Sequence, residues 1–460
     1  MIEEKEKNGN REELLNAPMG KLFLKMAVPG MIGMLVIGLY NLVDSIFVGQ
    51  FVGPEAVSAV AMGYAVVLIN QAILSLFATG AMSLFSRAMG AGDKDTMNGL
   101  FGNIFWPVGI LSICLSVLTF KFAENILMFL GAEGEILILG IEYLKVLSFG
   151  FVFGALGPAL NFLIRGEGQM KSAMKIVAIG TIVNIILDPL LIKVAGLGMT
   201  GAAVATMIGQ FLVMAGDLLH LGSDRSEIVL NVKSFRISWK LMPDMLKIGF
   251  SGMIMAIAVA IQLSILLSLS SKFGAESNIV MSASFRVMSF FYIPLFGIAY
   301  GLQPVIGANY GAEQWGRVKE AWVYFFRIAV AISAAVWLFF QMVPSFVLSW
   351  FITDSRIVTD GGFWFRIFQS SFILYGFVSV SIMLFMSLGK AVKGALLTLG
   401  RQILFFIPLA LILPRFFGEA GVWLSYPLAD LLVVILGVFL VAGELKRLGK
   451  LERERMRILS

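Results

Sequence analysis

Asp188 and Asn184 carry the clearest chemistry in the chain. They stand in Asn184-Ile185-Ile186-Leu187-Asp188-Pro189, inside an apolar run from about residue 172 to 193. Such a run crosses a bilayer, because ~20 residues at ~1.5 Å each span the ~30 Å hydrocarbon core. Asp188 is therefore expected within the membrane, where a carboxylate costs roughly 2.5–3.5 kcal/mol on insertion scales and by default marks a functional site. Asn184, four residues earlier, shares its helix face. Pro189 removes a backbone donor and releases carbonyls a turn back, a distortion tolerated beside polar cavities.

Four more polar residues of the first half fall at a matching depth. Counted from the outer ends of their spans, Asp44, Asp188, Tyr143, Thr206, Tyr40 and Asn184 all lie about 8–15 Å below the outer face. Two carboxylates, an amide and hydroxyls in one dry layer suit a hard cation or a proton. Oxygen ligands fit Na⁺, and neighbouring carboxylates in low dielectric raise one another's proton affinity. The same residues also fit a hydrogen-bonded network that only fixes the bundle.

The elements that hold this layer follow from hydropathy. Of 460 residues 58% are hydrophobic and 14% charged, too apolar for a soluble globular chain. Twelve apolar runs, at about 22–49, 56–83, 98–120, 137–163, 172–194, 198–222, 245–271, 278–302, 317–343, 363–388, 391–413 and 418–442, predict an all-α membrane protein of twelve transmembrane helices. Lys and Arg gather at the termini and even-numbered connections, among them Arg87, Lys94, Arg165, Arg236, Arg317 and Lys390. Lys121, Lys193, Lys272, Arg356 and Arg415 are sparse by comparison, so both termini are expected in the cytoplasm. The polar first twenty residues precede no small-residue cleavage site, so no cleavable signal peptide is expected.

An internal repeat divides the chain. Leu24-Lys25-Met26-Ala27-Val28-Pro29-Gly30-Met31-Ile32 aligns with Leu246 to Ile254, Met89 to Asp93 with Tyr310 to Glu313, and Gly198-Met199-Thr200-Gly201 with Gly418 to Gly421. Two six-helix lobes related by a parallel pseudo-two-fold are expected, since six spans per lobe preserve orientation. The expected division is a cytoplasmic segment 1–21, lobes 22–222 and 244–442, a cytoplasmic connection 223–243 and a basic tail 443–460.

The lobes are unequal in polarity. Leu266 aligns with Asp44, and the second lobe instead carries Gln262, Arg286, Arg401, Gln402 and Asp430. Either Arg286 or Arg401 can pair with Asp430 or face a cavity. The 25 Met and 39 Phe suit a greasy, adaptable pocket, to which Met31, Gln262 and Arg286 are assigned as substrate contacts. Gly150 and Gly154 form a GxxxG that favours close helix contact.

Several function classes drop out. One Cys, Cys114, and one His, His220, leave no disulfide framework and no Cys- or His-built metal site. No phosphate-cradling loop, HExxH or GxSxG is present, so neither an enzyme nor a nucleotide-driven pump is expected. The net charge of +6 follows the membrane topology rather than nucleic acid, and the expected cofactors are none beyond a coupling ion.

Tyr40-Asn41-Leu42-Val43-Asp44-Ser45-Ile46-Phe47-Val48-Gly49, Arg165 to Lys171, Asn184 to Pro189, and Asn309-Tyr310-Gly311-Ala312 with Arg317-Val318 resemble signature stretches of the multidrug and toxic compound extrusion (MATE) family, over nearly the whole chain. The resemblance implies a V-shaped antiporter that expels cationic or amphipathic drugs in exchange for Na⁺ or H⁺ in a prokaryotic plasma membrane; a monomer is expected, although the sequence does not fix the oligomeric state. The amino-lobe pattern is similar to the DinF-like branch. By that resemblance Asp44, Asn184, Asp188 and Thr206 carry the ion, with Tyr143 beside them and Tyr40 and Asn161 on the substrate path; Asn161 sits nearer the cytoplasmic end. The alternatives are a lipid or lipid-linked oligosaccharide flippase of the wider superfamily, with a basic cavity for anionic headgroups, and a non-transporting membrane scaffold.

Overall fold

Long apolar runs have no water to satisfy their backbone, so each closes its hydrogen bonds within itself as a helix. The computed structural model, which describes residues 2–459, contains α1 (Ile2–Asn16), α2 (Met19–Phe51), α3 (Pro54–Ala91), α4 (Lys94–Phe129), α5 (Gly134–Gly166), α6 (Met170–Pro189), α7 (Gly198–Leu221) and α8 (Met242–Ser270). It continues with α9 (Ala275–Gly311), α10 (Trp315–Met342), α11 (Pro344–Leu348), α12 (Ser355–Phe368), α13 (Tyr375–Ser387), α14 (Ala391–Leu399), α15 (Phe406–Phe417) and α16 (Glu419–Leu459). A π-helical turn, Leu190–Val194, follows α6, and a second, Gly400–Leu404, joins α14 to α15.

Among the described residues, twelve helical stretches are long and apolar enough to cross a membrane. They match the expected spans one for one and run past them at many ends. At the α3 to α4 corner Gly92 takes a left-handed conformation (φ 75°) that closes α3. Asp93 then caps α4, its carboxylate accepting from the Thr96 backbone N–H at 3.0 Å and from the Thr96 hydroxyl at 2.6 Å. Those bonds hold the Asp93 carboxyl below its ordinary range. The stretch expected as a basic tail continues α16 instead, with Lys450 paired to Glu454 at 3.8 Å, a spacing that supports a helix, and with the buried Glu444 held by Lys390, Lys393 and Arg447.

The chain forms two compact units. Unit 1 takes the residues up to Ala17 together with Ile32–Met253; unit 2 takes Pro18–Met31 and the residues from Ile254 on. Relative to the expected lobes, the beginnings of α2 and α8 are thus exchanged. In unit 2 the Phe23 ring meets Phe325 edge-on at 5.1 Å. In unit 1 a Cβ at Gly249 would fall 1.6 Å from the Leu76 carbonyl oxygen, so only glycine lets the start of α8 lie against α3.

Unit 1 is built on α5, which packs against α3, α4 and α7, while α6 pairs with α7. The GxxxG of α5 is used in this packing: a Cβ at Gly154 would come within 2.6 Å of the Gln210 side chain on α7. In unit 2, α9 packs on α10 and α13, and α15 on α16.

Candidate functional site

The site of unit 1 depends on how closely α6 approaches α7. A Cβ at Gly180 would lie 2.6 Å from the Gly209 carbonyl oxygen, and one at Gly209 would lie 3.0 Å from Asn184 Cβ. This glycine contact sets Asn184 and Asp188 on the face of α6 that looks at α7. Pro189 ends the regular helix directly after Asp188. Beyond it the Ala195 N–H reaches back five residues to Leu190 O at 2.8 Å, the wide bonding of a π turn, a feature frequent at functional sites.

Tyr40, Asp44, Tyr143, Asn184, Asp188 and Thr206 come together from α2, α5, α6 and α7. The carboxyl groups of Asp44 and Asp188 lie within hydrogen-bonding reach of each other. The Tyr40 hydroxyl reaches Thr206, and Tyr143 stands close enough to Asp44, Tyr40 and Asp188 to interact electrostatically with all three. Asp188 is wholly buried and Asn184 is 2% exposed. Apart from each other the acids lack partners: both Asp188 oxygens, Asp44 Oδ1 and both ends of the Asn184 amide are buried without a hydrogen bond.

Charge sharpens the point. Among the described residues no Lys, Arg or His pairs with Asp44 or Asp188. Two carboxylates at such range in a weakly polar medium repel strongly, and a proton or a small cation between them removes that repulsion. Carboxylate, amide and hydroxyl oxygens form a hard donor set suited to a monovalent cation. Among the described residues no three His, Cys, Asp or Glu side chains converge as a metal site.

Asn161 lies in a separate network of unit 1. Its Nδ2 donates to Ala173 O at 3.1 Å and to Asp217 Oδ1 at 2.8 Å, while its Oδ1 accepts from Arg165 Nε at 2.8 Å. Its amide is thus engaged by protein groups and fully buried. Asp217, buried with Oδ2 unpartnered, is a residue the sequence reading passed over. The signal was present, since Asp217 follows Thr206 by eleven residues, three turns along one face of α7. Asn70 is a second omission: its Nδ2 donates to Phe151 O at 3.0 Å and its Oδ1 accepts from Ser112 at 3.1 Å.

Between α5 and α6, outside the spans, Glu167 is buried completely. It accepts from Ser226 Oγ at 2.5 Å and from the Glu227 N–H at 3.2 Å, tying the 223–243 connection to unit 1. His220 Nε2 lies 4.0 Å from it. Burial, aided by the neighbouring Glu227, pushes its carboxyl up to about 8.

Unit 2 pairs its charges. Arg401, within the second π turn, donates from Nε to Asp430 Oδ1 at 2.6 Å and from Nη2 to the Tyr426 hydroxyl at 2.9 Å. Its guanidinium lies 4.2 Å from the centre of the Tyr375 ring and 5.4 Å from that of Tyr292. Ser371 Oγ completes the Asp430 side at 2.7 Å. Arg401 is therefore the partner of Asp430, and Arg286 is not; Arg286 is exposed, lining a different cavity with Asn278 and Phe351. Gln262 lines a cavity with Arg401. Met31 is half-buried in unit 2, its backbone against Gly297.

Comparison with known proteins follows the same outline. The MatE family profile matches residues 29–190 and 251–412, one match for each repeat. The multidrug export protein MepA of Staphylococcus aureus (strain N315) is 27% identical over 432 residues, covering 92% of this chain and 94% of that protein. A solved structure described as the outward-facing conformation of a multidrug resistance MATE family transporter of the MOP superfamily superposes with a TM-score of 0.85 at 27% identity, covering 95% of this chain and 98% of the other. A crystal structure of MATE in the straight conformation gives 0.87 at 26% identity with the same coverage.

Proposed function

Since the chain belongs to the MATE family, a family of transporters and not of enzymes, we propose that it is a secondary active exporter of cationic and amphipathic compounds, driven by inward movement of H⁺ or Na⁺. The observation that carries this reading is the uncompensated pair of half-buried Asp44 and wholly buried Asp188 with Asn184, Thr206, Tyr40 and Tyr143 around it. The multidrug export named for the MepA relative supports the substrate class.

The cycle is alternating access. An ion entering between Asp44 and Asp188 removes their repulsion and draws α2, α6 and α7 together. Pro29 breaks the bonding of α2 just before that helix leaves unit 2 for unit 1, which makes it the natural hinge. Tyr40 and Met31 contact the compound as α2 moves; Asn161 does so only after its network opens, and Arg286 from its own cavity. Coupling requires that ion and drug prefer different states, because a ligand that binds both equally shifts nothing. Both termini lie in the cytoplasm of a prokaryotic cell, and a single chain suffices.

The carboxylate pair without a basic partner, placed in unit 1 and not in unit 2, supports placement near the DinF-like branch. The neutralised Arg401 argues for export of cations over flipping of lipid, since a lipid headgroup site needs unpaired positive charge. Dye-cation uptake into inverted vesicles, under an imposed Na⁺ or pH gradient, tests the reading. Flux driven by one gradient and lost in Asp188→Asn is expected; flux unchanged in Asp188→Asn contradicts the site.

A further inference from the structure

Unit 2 contains a cavity of about 260 Å³ made wholly from its own residues, where α8, α9, α13, α14 and α16 meet the second π turn. Its walls are mostly apolar and aromatic, with Phe285, Tyr292 and Phe296 among them. Typical small-molecule sites combine such walls with a few convergent polar groups, and three are present. Gln262 Nε2 and Gln402 Oε1 are buried without any partner, on side chains 2% and 5% exposed. Arg401 is the third. Its Nε donates to Asp430 and Nη2 to the Tyr426 hydroxyl, which uses two of the five guanidinium N–H groups; the group lies close to Tyr292 on the cavity wall.

These groups specify a ligand. Buried polar atoms are nearly always satisfied, and each left bare is costly; a ligand that satisfies them is the simplest resolution of the two glutamines. The charge of Arg401 is already matched by Asp430, so the cavity is neutral overall. A cation meets the guanidinium, and an anion adds a charge beside Asp430 that nothing balances. An uncharged ligand fits: its carbonyl accepts from Gln262 Nε2 and Arg401, its N–H or O–H donates to Gln402 Oε1, and its flat ring stacks among the aromatic walls.

We propose that unit 2 holds a binding site for a small, uncharged, planar aromatic compound with a carbonyl beside a hydrogen-bond donor. The site is independent of the carboxylate pair of unit 1, and the inference stands whether or not the export reading does.

The test uses 2-quinolone, an uncharged bicyclic lactam, in equilibrium dialysis against the purified full-length protein in lipid nanodiscs. Saturable binding is expected, weakened about tenfold by Gln262→Leu or by Gln402→Leu, the loss typical of one neutral hydrogen bond. Ser289→Phe, which adds a bulky ring on the cavity wall at a position carrying none of the three polar groups, should abolish it, and Asp188→Asn should leave it unchanged. Each variant is first checked for wild-type elution on gel filtration, and at least the glutamine or the cavity-filling change must pass. Absence of saturable binding overturns the proposal. So does binding that survives both Gln262→Leu and Ser289→Phe, or that is lost in Asp188→Asn.

Discussion

Asp188 in unit 1 and Asp430 in unit 2 are both buried acids beside a π turn, and they are treated in opposite ways. Asp188 faces another acid, Asp44, and no basic side chain among the described residues pairs with either. Asp430 faces Arg401 at 2.6 Å, with Ser371 and a collar of tyrosines completing the shell. The repeat makes the contrast sharper, since Tyr426, which receives the Arg401 hydrogen bond, aligns with Thr206 at the same offset of 220 that relates Gly198 to Gly418. One unit has installed its positive charge permanently in the chain. In the proposed reading the other leaves the place to a mobile ion, and a mobile ion is what coupling to a gradient requires.

The largest effect expected from breaking this contrast is on transport. Asp188→Asn or Asp44→Asn should reduce gradient-driven dye efflux by at least about tenfold while the protein still folds, because the change removes a repulsion and keeps the shape; vesicle flux and gel filtration check both halves. In unit 2 the expected damage is to stability. Asp430→Asn strands a buried guanidinium and should cost about 3–5 kcal/mol, whereas the double change Arg401→Met with Asp430→Leu should recover most of it, read as thermal unfolding in detergent.

A smaller effect belongs to Glu167. Its carboxyl sits near 8 when folded, against an ordinary 4.5, so the folded chain holds a proton that the unfolded chain releases. The resulting stabilisation is full below about pH 4.5 and is lost as pH rises through about 8. His220 and Glu227 border the same group, and Arg225 acts on His220, but Glu167→Gln should flatten the fall in melting temperature across that window by roughly 3 °C or more. The smallest effect is expected at the corner between α3 and α4, where Asp93→Ala should cost about 1 kcal/mol through loss of the cap.

Much of this architecture could be read before any coordinates. The twelve spans follow from runs of apolar residues, and the depth count placed six polar side chains in one layer because a helix converts residue number into distance at a fixed rise. The choice of partner for Asp430 could not be read, since Arg286 and Arg401 are equally plausible until packing decides. The exchange of the α2 and α8 starts between units was also hidden. It depends on backbone contacts such as Gly249 against Leu76, and hydropathy says nothing about which neighbour an apolar face will meet. Asp217 was missed for a different reason: near a span end, an acid looks like part of the water-facing border.

The central claim, that the positive charge of unit 1 is a mobile ion, is tested most directly by following ion release when a dye cation is added to the purified protein, with a pH indicator and a Na⁺ electrode. Wild type should release H⁺ or Na⁺ on binding the dye, Asp188→Asn should release neither, and Arg401→Met with Asp430→Leu should behave as wild type. Release that persists in Asp188→Asn, or that disappears in the unit 2 double variant, would contradict the account.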